Sequence, residues 1–415
     1  MSEQVDQKEL DVIVIGAGPA GGQCARELAK LGRRVVLLER SQEIGEPNYS
    51  SAGTCSEILE RFDLPLSVTS APWNRILFRS KNAEASWAFG ETRGYVLDFM
   101  ALRKFLAEEA ARHGADILVG STVTDFIEDP ILGFSGVKYK GIFSEGILRA
   151  RVIVDASGHW GFAQSKLHLN SLSDNDSASA LELQMAAIPP GMEKTLAFFF
   201  GTVATNGYGW VFPMEQGKAA KLGFGVASGT KSARPIKQLL EQFVAGFNDI
   251  RHLEPTEIHG GGGHIADGSQ AHVSKNVVCI GDAAQQVNPL AYEGIRHAMG
   301  AGQLAAQIIN RALQNNDLGA LKTEYEKAWR QQFRLPWFLS YHISHLWYEH
   351  FTESDWDRLV RELSHLTPEH AFDLFFNYHF KHVLRSPKLM GLFGGKWLLT
   401  HLHTLPTSPG REPAG

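Results

Sequence analysis

The stretch DVIVIGAGPAGGQCARELAKLG, residues 11–32, predicts a buried strand, a tight glycine turn and a helix in direct succession. The stretch RRVVLLER, residues 33–40, follows as a second buried strand, so the two stretches form a βαβ unit. In the turn, Gly16 permits the sharp bend, Gly18 lets the backbone approach a pyrophosphate, and Gly21 lets helix and strand pack closely. A pyrophosphate would then lie at the helix N-terminus. The turn therefore predicts a dinucleotide site.

An acidic residue supports this prediction. Glu39 ends the second strand roughly 20 residues beyond the glycines, where a carboxylate can accept a hydrogen bond from a ribose hydroxyl. The alternative is a glycine turn that binds nothing. The combination of strand, turn, helix and acid counts against that alternative.

A second stretch decides between a nicotinamide and a flavin. In VVCIGDAAQQVNPLAYEGIRHAMGAG, residues 277–302, an apolar run ends at Asp282 and a helical pattern opens at Gly294. The Asp282 carboxylate can accept a hydrogen bond from a ribityl hydroxyl, although a helix N-cap is its alternative role. The backbone N–H groups of Gly294 and Ile295 would stabilise negative charge on a reduced flavin. The stretch therefore predicts non-covalent FAD. The residues predicted to contact it are Gly16, Gly18, Ala20, Gly21, Glu39, Arg40, Arg103, Val123, Gly281, Asp282, Pro289, Gly294 and Ile295.

Composition excludes other classes of function. The chain has 415 residues, 44% apolar and 20% charged, with a formal net charge of -5 and no basic block, so no nucleic-acid partner is expected. The three cysteines, Cys24, Cys55 and Cys279, are too few for a disulfide framework, which favours a reducing compartment. The polar N-terminus is no signal peptide, and no apolar run reaches about 18 residues. A cytoplasmic protein is expected.

The order of the predicted elements gives an α/β fold class with interleaved domains. A Rossmann-like FAD-binding domain is expected from residues 8–70, 96–175 and 275–315, an antiparallel-sheet substrate domain from 71–95 and 176–274, a C-terminal helical segment from 316–405, and a loose tail from 406–415.

Several motifs resemble a known superfamily. GAGPAG, VDASG at 154–158 and GDAAQQVNP with EGIRHAMGAG resemble the flavoprotein monooxygenases of the p-hydroxybenzoate hydroxylase fold. Within that superfamily, YGWVFP at 208–213, KLGFGV at 221–226 and EIGEPNYSSAG at 43–53 resemble the geranylgeranyl reductase family. The resemblance covers residues 8–310. It implies FAD, an external electron donor of the NADPH or ferredoxin type, and reduction of isoprenoid double bonds.

The chain departs from that family at three places. Ser50 or Ser51 stands where the family usually carries a Cys, and Cys55 follows a turn later. Arg103 is shifted from the position of the family's Arg, and it either compensates or lies on the surface. Tyr292 replaces a common Gly, which would bring a phenol near the flavin. These departures leave flavin binding intact and put the reaction in doubt.

An aromatic strand is the candidate substrate contact. Tyr208, Trp210 and Phe212 alternate, so at strand period they share one face, which forms either an apolar substrate wall or core packing. The candidate proton donors are Cys55, Tyr49 and Tyr292, and each has a purely structural role as its alternative.

The C-terminal region is rich in His and aromatic residues. FLSYHISHLWYEHF, residues 338–351, predicts amphipathic helices that either pack on the sheet-rich domain or form a lipid-facing lip. SPKLMGLFGGKWLLTHLH, residues 386–403, would contact either a membrane surface or a second copy of the chain. The spacing of the histidines in this region lacks acidic partners, so no metal site is predicted.

Three hypotheses for function stay open on sequence alone. The first is a flavin-dependent reductase of a lipophilic, isoprenoid-like double bond. The second is a flavin monooxygenase or halogenase acting on an aromatic or polyketide-like substrate, although YGWVFP meets only half of the halogenase pattern Trp-x-Trp-x-Ile-Pro. The third is a non-catalytic flavin-binding module.

Overall fold

The computed structural model describes residues 10–48, 50–142, 145–170, 176–201, 204–227, 235–248, 251–252 and 254–401. Within these residues the chain has the predicted α/β fold: a mainly parallel sheet of eight strands that includes an antiparallel ribbon, a seven-stranded mixed sheet, a three-stranded sheet and C-terminal helices.

The strands and helices are numbered in chain order. The strands are β1 Leu10–Ile15, β2 Val35–Leu38, β3 Gly53–Cys55, β4 Thr69–Trp73, β5 Arg75–Arg79, β6 Glu84–Ala88, β7 Gly94–Leu97, β8 Asp116–Leu118, β9 Ser121–Asp129, β10 Gly133–Gly141, β11 Glu145–Asp155, β12 Ser177–Met185, β13 Thr195–Gly201, β14 Ala204–Met214, β15 Ala219–Ala227, β16 Glu257–His264, β17 Val273–Ser274 and β18 Val277–Cys279. The helices are α1 Pro19–Lys30, α2 Glu57–Arg61, α3 Phe99–Arg112, α4 Phe162–Leu167, α5 Ile236–Ala245, α6 Ile295–Gln314, α7 Ala320–His350, α8 Glu353–Leu363, α9 Pro368–Phe375, α10 Lys381–Leu384 and α11 Pro387–His401.

The parallel sheet has the strand order β17-β18-β11-β1-β2-β8, and β17 is its antiparallel edge. The central strand β1 is buried on both faces, as parallel strands covered on two sides must be. Val12 and Val14 pack on the side of α1 and α6, and Ile13 packs on the side of the β9–β10 ribbon. Strands from both ends of the chain form this sheet, and the predicted domain boundaries themselves stay predictions.

Close approach of backbone to backbone fixes α1 against the sheet. A Cβ on Gly21 would lie 1.9 Å from the Gly16 carbonyl oxygen and 3.0 Å from the Ala156 Cβ. A Cβ on Gly302, in α6, would lie 2.4 Å from the Ala20 oxygen. The N-terminus of α1 therefore faces the carboxyl edge of the sheet, with α6 directly behind the helix.

The mixed sheet has the order β16-β12-β15-β14-β13-β5-β6. Its pairs are antiparallel except β13 with β5, which run parallel because β5 comes from a distant part of the chain and cannot form a hairpin with β13. On β14, Tyr208, Trp210 and Phe212 share one face, as predicted, while Val211 packs on the opposite face beneath α5. The aromatic face is directed toward the parallel sheet and the C-terminal helices. The three-stranded sheet has the order β3-β7-β4.

The C-terminal segment is helical, as predicted. In α7, Trp329, Phe333 and Trp337 pack against each other, and His272 beside β17 contacts Trp329. The end of α7 brings Tyr348 to the rings of Tyr208 on β14. Across the described residues, no helix has both the length and the apolar character that a bilayer crossing requires. Contact of these helices with a membrane surface stays a prediction.

The packing of α1 predicts unequal effects of two glycine substitutions. Gly21→Ala should lower the free energy of unfolding by about 1–3 kcal/mol or more, because its methyl group meets backbone atoms that cannot move aside. Gly18→Ala is the matched control, because no atom lies within 4 Å of a Cβ there. It should lower stability by less than about 1 kcal/mol, the loss of a glycine N-cap. Urea unfolding of both variants without added FAD measures the difference; equal midpoints would contradict the packing described.

Candidate active site

Three neighbouring cavities lie between the two sheets. The edge cleft, of about 480 Å³, follows the carboxyl ends of β1, β2 and β11. The middle cavity, of about 300 Å³, lies between β12, β14 and β16 on one side and the N-terminus of α6 on the other. The aromatic pocket, of about 100 Å³, lies deeper, beneath β13 and β14. Asp282 lines both the edge cleft and the middle cavity, and Tyr292 lines both the middle cavity and the aromatic pocket.

The glycine turn opens into the edge cleft. Gly16 has φ +98°, and a Cβ there would lie 2.4 Å from the Ala156 carbonyl oxygen, so the turn requires glycine. Gly18 and Ala20 line the cleft, and no atom lies within 4 Å of a Cβ on Gly18. Pro19 begins α1, which leaves the first N–H groups of the helix without intrahelical partners. This arrangement can hold a pyrophosphate.

Glu39 and Arg103 order the end of the cleft beside β2. The Glu39 carboxylate accepts hydrogen bonds from the Ala17 N–H and the Ser41 N–H, each at 2.9 Å. The Arg103 guanidinium lies 3.5 Å from the Glu39 Oε2 and donates to the Ala17 carbonyl oxygen at 3.2 Å. Arg103 is 7% exposed and lines the cleft, so it is not a surface residue. It braces the glycine turn and the acid together.

Two further predicted residues line the same cleft. Arg40 lies 5.5 Å from the ring of Trp160, and Val123 comes from β9. Trp160 also lines the cleft, with its ring 64% exposed, and it was not predicted as a site residue. The signal for it is weak, because Trp160 lies in a turn after VDASG with no periodic pattern around it.

Asp282 begins a short 3₁₀ turn, Gly281–Ala284, directly after β18. Within the described residues its carboxylate accepts no hydrogen bond, which argues against the N-cap alternative. Burial raises the pKa of this carboxyl group. Gly294 is the N-cap of α6, and a Cβ there would lie 3.7 Å from the Asp282 Oδ1. The free carboxylate and the helix N-terminus therefore meet at one place, as predicted.

The remaining predicted cofactor residues differ in whether they line a cavity. Gly21, Gly281 and Pro289 line none of the three cavities in the part of the chain that the structure describes. A Cβ on Gly281, which has φ +66°, would lie 2.8 Å from the Ala20 Cβ. Gly281 thus lets the turn after β18 approach the start of α1. Ile295 and Gly294 line the middle cavity.

The aromatic strand divides between two cavities. Tyr208 lines the middle cavity and the aromatic pocket, Trp210 lines the middle cavity, and Phe212 lines the aromatic pocket. Other apolar residues complete the pocket: Ile76, Phe78, Leu196, Phe198, Phe200, Trp347, Tyr348, Phe375 and Phe376. Such a lining suits an apolar substrate segment.

Three tyrosines fix the loop before α6. The rings of Tyr208, Tyr292 and Tyr348 stack with centroids 6.1–6.2 Å apart. The Tyr208 hydroxyl donates to the Ala291 oxygen at 2.8 Å, and the Tyr348 hydroxyl donates to the Leu290 oxygen at 3.0 Å. Tyr292 has φ +52°, which explains why the related pattern favours glycine there. Its buried hydroxyl has no partner within the described residues, and burial raises its pKa above the ordinary value.

The other two predicted proton donors have different outcomes. Cys55 is fully buried in β3 and lines none of the three cavities. Burial raises the pKa of its thiol to about 11, although Arg296 opposes the shift. Tyr49 lies outside the described residues. Ser50 and Ser51, at the position of the family's Cys, line the middle cavity and the aromatic pocket.

Three charged residues beside these cavities were not predicted from the sequence. Glu293 and Arg296 line the aromatic pocket and form a bidentate ion pair with N–O distances of 2.7 and 2.8 Å. Glu182, on β12, lines the middle cavity. The i, i+3 spacing of the pair was a usable signal. Glu182 had no comparable signal, because strand alternation places it on one face with Ala178 and Ala180 but does not tell that this face borders a cavity.

The residues present fit FAD. Gly18, with no described atom within 4 Å of a Cβ, faces the edge cleft, which the N-terminus of α1 also lines, and the N-terminus of α6 lines the adjoining middle cavity. The half-buried Asp282 carboxylate, which has no hydrogen-bond partner among the described residues, lines both cavities. Among the described residues, no cluster of His, Cys, Asp or Glu could hold a metal ion.

Comparison with known proteins agrees with this geometry. Residues 11–162 match a family model described as FAD dependent oxidoreductase, and residues 176–263 match one described as geranylgeranyl reductase catalytic domain. Digeranylgeranylglycerophospholipid reductase of Methanosarcina mazei is 32% identical over 77% of this chain and 80% of its own length. The reductase of the same name from Methanocaldococcus jannaschii is 28% identical over 92% of this chain and 97% of its own length.

Solved structures share the fold. A geranylgeranyl bacteriochlorophyll reductase-like protein from Thermoplasma acidophilum has a TM-score of 0.82 at 24% identity, over 91% of this chain and 98% of that chain. The flavin-dependent brominase Bmp2 has a TM-score of 0.66 at 18% identity, over 93% and 94% of the two chains. At these identities the likeness concerns the fold alone.

The fold and the site define an FAD-dependent oxidoreductase with a dinucleotide-binding α/β domain. Within that class, the sequence similarity is specific to one branch. The chain belongs to the geranylgeranyl reductase family.

Asp282 provides a test of the cofactor site. Asp282→Ala should weaken FAD binding by about 1–3 kcal/mol, because a buried hydrogen bond to a charged group is lost. Asp282→Asn keeps an acceptor oxygen and should lose less. Titration of the FAD-free protein, followed by flavin fluorescence, measures both. A helix cap would behave differently: Asp282→Ala would lower the melting temperature and leave FAD affinity unchanged.

Proposed function

We propose that the protein reduces carbon–carbon double bonds of an isoprenoid lipid with FAD as its cofactor. The observation that carries this proposal is the aromatic pocket adjoining the middle cavity, which is lined by Asp282, Gly294 and Ile295, residues that we propose to bind FAD. The relatives named digeranylgeranylglycerophospholipid reductases support a prenylated glycerolipid as the substrate class.

The chain's own residues would divide the work by cavity. The N-terminus of α1, braced by Glu39 and Arg103, would bind the pyrophosphate and adenosine half of the cofactor in the edge cleft. Asp282 would orient the ribityl chain, and the N-terminus of α6 would favour negative charge on the ring. FAD, once reduced, supplies hydride to the substrate.

The aromatic pocket would position the substrate. Its side chains are apolar except at one end, where Glu293 and Arg296 neutralise each other. A prenyl segment lying there would gain about 25 cal/mol per Å² of apolar surface removed from water. The stacked tyrosines Tyr208, Tyr292 and Tyr348 would separate this segment from solvent. The predicted donors Cys55, Tyr49 and Tyr292 remain proposals for the proton that completes the reduction.

Two other parts of the proposal rest on the sequence. The family resemblance supports NADPH or a ferredoxin-type protein as the transient electron donor, and the apolar, lysine-flanked pattern of residues 386–403 supports the C-terminal helices as a contact with the lipid surface. The monooxygenase or halogenase hypothesis is supported by shared fold alone, because the brominase is 18% identical to this chain.

An anaerobic experiment tests the reaction. The FAD-loaded protein is reduced with dithionite and mixed with a geranylgeranylated glycerolipid in detergent. The oxidised flavin band should return, and mass spectrometry should show the lipid heavier by two hydrogens for each double bond reduced. A saturated lipid is the control and should leave the flavin reduced. Recovery of the band with oxygen alone, together with an oxygenated or halogenated product, would support the monooxygenase hypothesis instead.

Opposite faces of β14 give a matched pair of variants. Phe212→Ala should raise the apparent substrate constant of this reaction about 10-fold, because it removes apolar contact in the aromatic pocket. It should leave the limiting reoxidation rate almost unchanged. Both variants remove buried apolar contact and should lower the free energy of unfolding by similar amounts. Val211→Ala, on the face beneath α5, should do so without changing the substrate constant. A substrate constant that responds equally to both changes would show that the pocket does not hold the lipid.

A further inference from the structure

A buried carboxyl group, that of Glu182, lies one strand away from the aromatic strand β14, with β15 between the two. Glu182 on β12 pairs in register with Gly223 on β15, and Gly223 pairs with Trp210 on β14. A Cβ on Gly223 would lie 1.9 Å from the Trp210 ring, so the indole lies directly over this glycine. The ring thereby reaches Glu182, and the Trp210 Nε1–H donates to the Glu182 Oε2 at 2.9 Å.

This hydrogen bond distinguishes the two carboxyl oxygens. An indole N–H is a donor only, so Oε2 must be an acceptor. The carbonyl oxygen of a carboxylic acid is the stronger acceptor, so this hydrogen bond favours the proton of a neutral Glu182 on Oε1. Oε1 is buried and has no partner within the described residues. Glu182 is 5% exposed and lines the middle cavity together with Asp282, Gly294 and Ile295, so its side chain borders the space beside the flavin-binding residues.

The charges around Glu182 come from two neighbouring strands. Lys221, on β15, faces it and donates to the Ser50 oxygen at 2.5 Å. His259, on β16, pairs in register with Glu182, and the His259 ring is hydrogen-bonded to the Glu257 carboxylate at 2.7 Å. Burial raises the pKa of Glu182, and this effect exceeds the opposing effects of Lys221, the Trp210 hydrogen bond and His259. Burial thus shifts Glu182 toward its acid form, and Lys221 can stabilise the carboxylate once the proton leaves.

We propose that Glu182 is the general acid that protonates a substrate double bond reaching from the aromatic pocket into the middle cavity, and that Trp210 positions the Glu182 carboxyl group. This inference rests on the proposed reduction. In the balanced step, the π electron pair of the double bond forms a C–H bond with the Oε1 proton, and the electron pair of the broken O–H bond stays on Glu182. The hydride that FAD-dependent reduction supplies brings its own pair to the other carbon. Water then reprotonates the Glu182 carboxylate, and the external donor replaces the two electrons.

Glu182 is better suited to this role than the candidates predicted from sequence. A general acid works best when its pKa lies near the working pH. Burial moves a carboxyl group toward that range, whereas it moves the phenol of Tyr292 and the thiol of Cys55 away from it. Cys55 also lines none of the cavities described above.

The pH dependence has a definite sign. The reactive form is the protonated one, so the anaerobic reoxidation rate should be highest at low pH and fall as pH rises through the Glu182 pKa. Glu182→Gln keeps an acceptor for Trp210 but cannot release a proton. It should slow reoxidation by about 100-fold or more and remove this pH dependence. Glu241→Gln, on the exposed side of α5 and in the lining of none of the three cavities, is the control and should stay within about 2-fold of the unmodified protein at every pH.

A second measurement follows protonation without turnover. The indole N–H resonance of Trp210, assigned among nine tryptophans by its absence in Trp210→Phe, should titrate in the oxidised, substrate-free protein. Its midpoint should match that of the rate, and the resonance should be independent of pH in Glu182→Gln. Trp210→Phe should shift the rate profile to higher pH, because the hydrogen bond that stabilises the carboxylate is lost.

The outcomes separate this proposal from the proposed function. If the unmodified protein is not reoxidised by the prenyl lipid, the reduction itself is wrong. If it is reoxidised, but Glu182→Gln reacts within about 3-fold of it with the same pH profile, the general-acid role of Glu182 is overturned. A Trp210 resonance that does not titrate in the unmodified protein would also overturn it. FAD affinity measured beside each rate should be unchanged in Glu182→Gln, and a matching loss of FAD would assign Glu182 to cofactor binding instead.

Discussion

Close contact between backbone segments at glycine is the constraint on which the site depends. Three glycines have no room for a side chain. A Cβ would meet the Gly16 oxygen at Gly21, the Ala20 oxygen at Gly302 and the Ala20 Cβ at Gly281. These contacts hold α1, α6 and the turn after β18 within one small region at the carboxyl edge of the sheet. Two helix N-termini and the Asp282 carboxylate consequently face connected cavities. This arrangement suits an extended cofactor that carries negative charge on its pyrophosphate and, when reduced, on its ring.

Much of this region was predictable because its requirements are local. A glycine turn between strand and helix, an acid roughly 20 residues later and a glycine at a helix start each report backbone geometry within a few residues. The shared face of Tyr208, Trp210 and Phe212 was predictable too, since side chains alternate along a strand whatever its neighbours are. Fold class and cofactor therefore followed from the sequence.

The chemistry beyond the cofactor was less predictable because it depends on strand order. Nothing local to Glu182 reveals that β15 lies between it and β14, or that Gly223 lets the Trp210 ring reach across. Cys55 was a predicted proton donor because it is a lone thiol near a family motif, but β3 directs Thr54, and not Cys55, to the aromatic pocket. Arg103 reads as an ordinary helix surface residue until the turn at Ala17 and the acid Glu39 are placed beside it.

The two buried glutamates near the substrate space show how environment assigns their states. Burial alone would raise the pKa of Glu293, but its bidentate pair with Arg296 more than offsets this, and the pKa lies well below the usual range. Within the described part of the chain, Glu182 accepts a single side-chain hydrogen bond, from a neutral donor, and has no ion pair at bonding distance, so burial prevails and its pKa is raised. Two carboxyl groups whose pKa values are driven apart take different roles. Glu293 holds Arg296 at the end of an apolar pocket, and Glu182, whose pKa burial raises, is the carboxyl group that we propose as the proton donor.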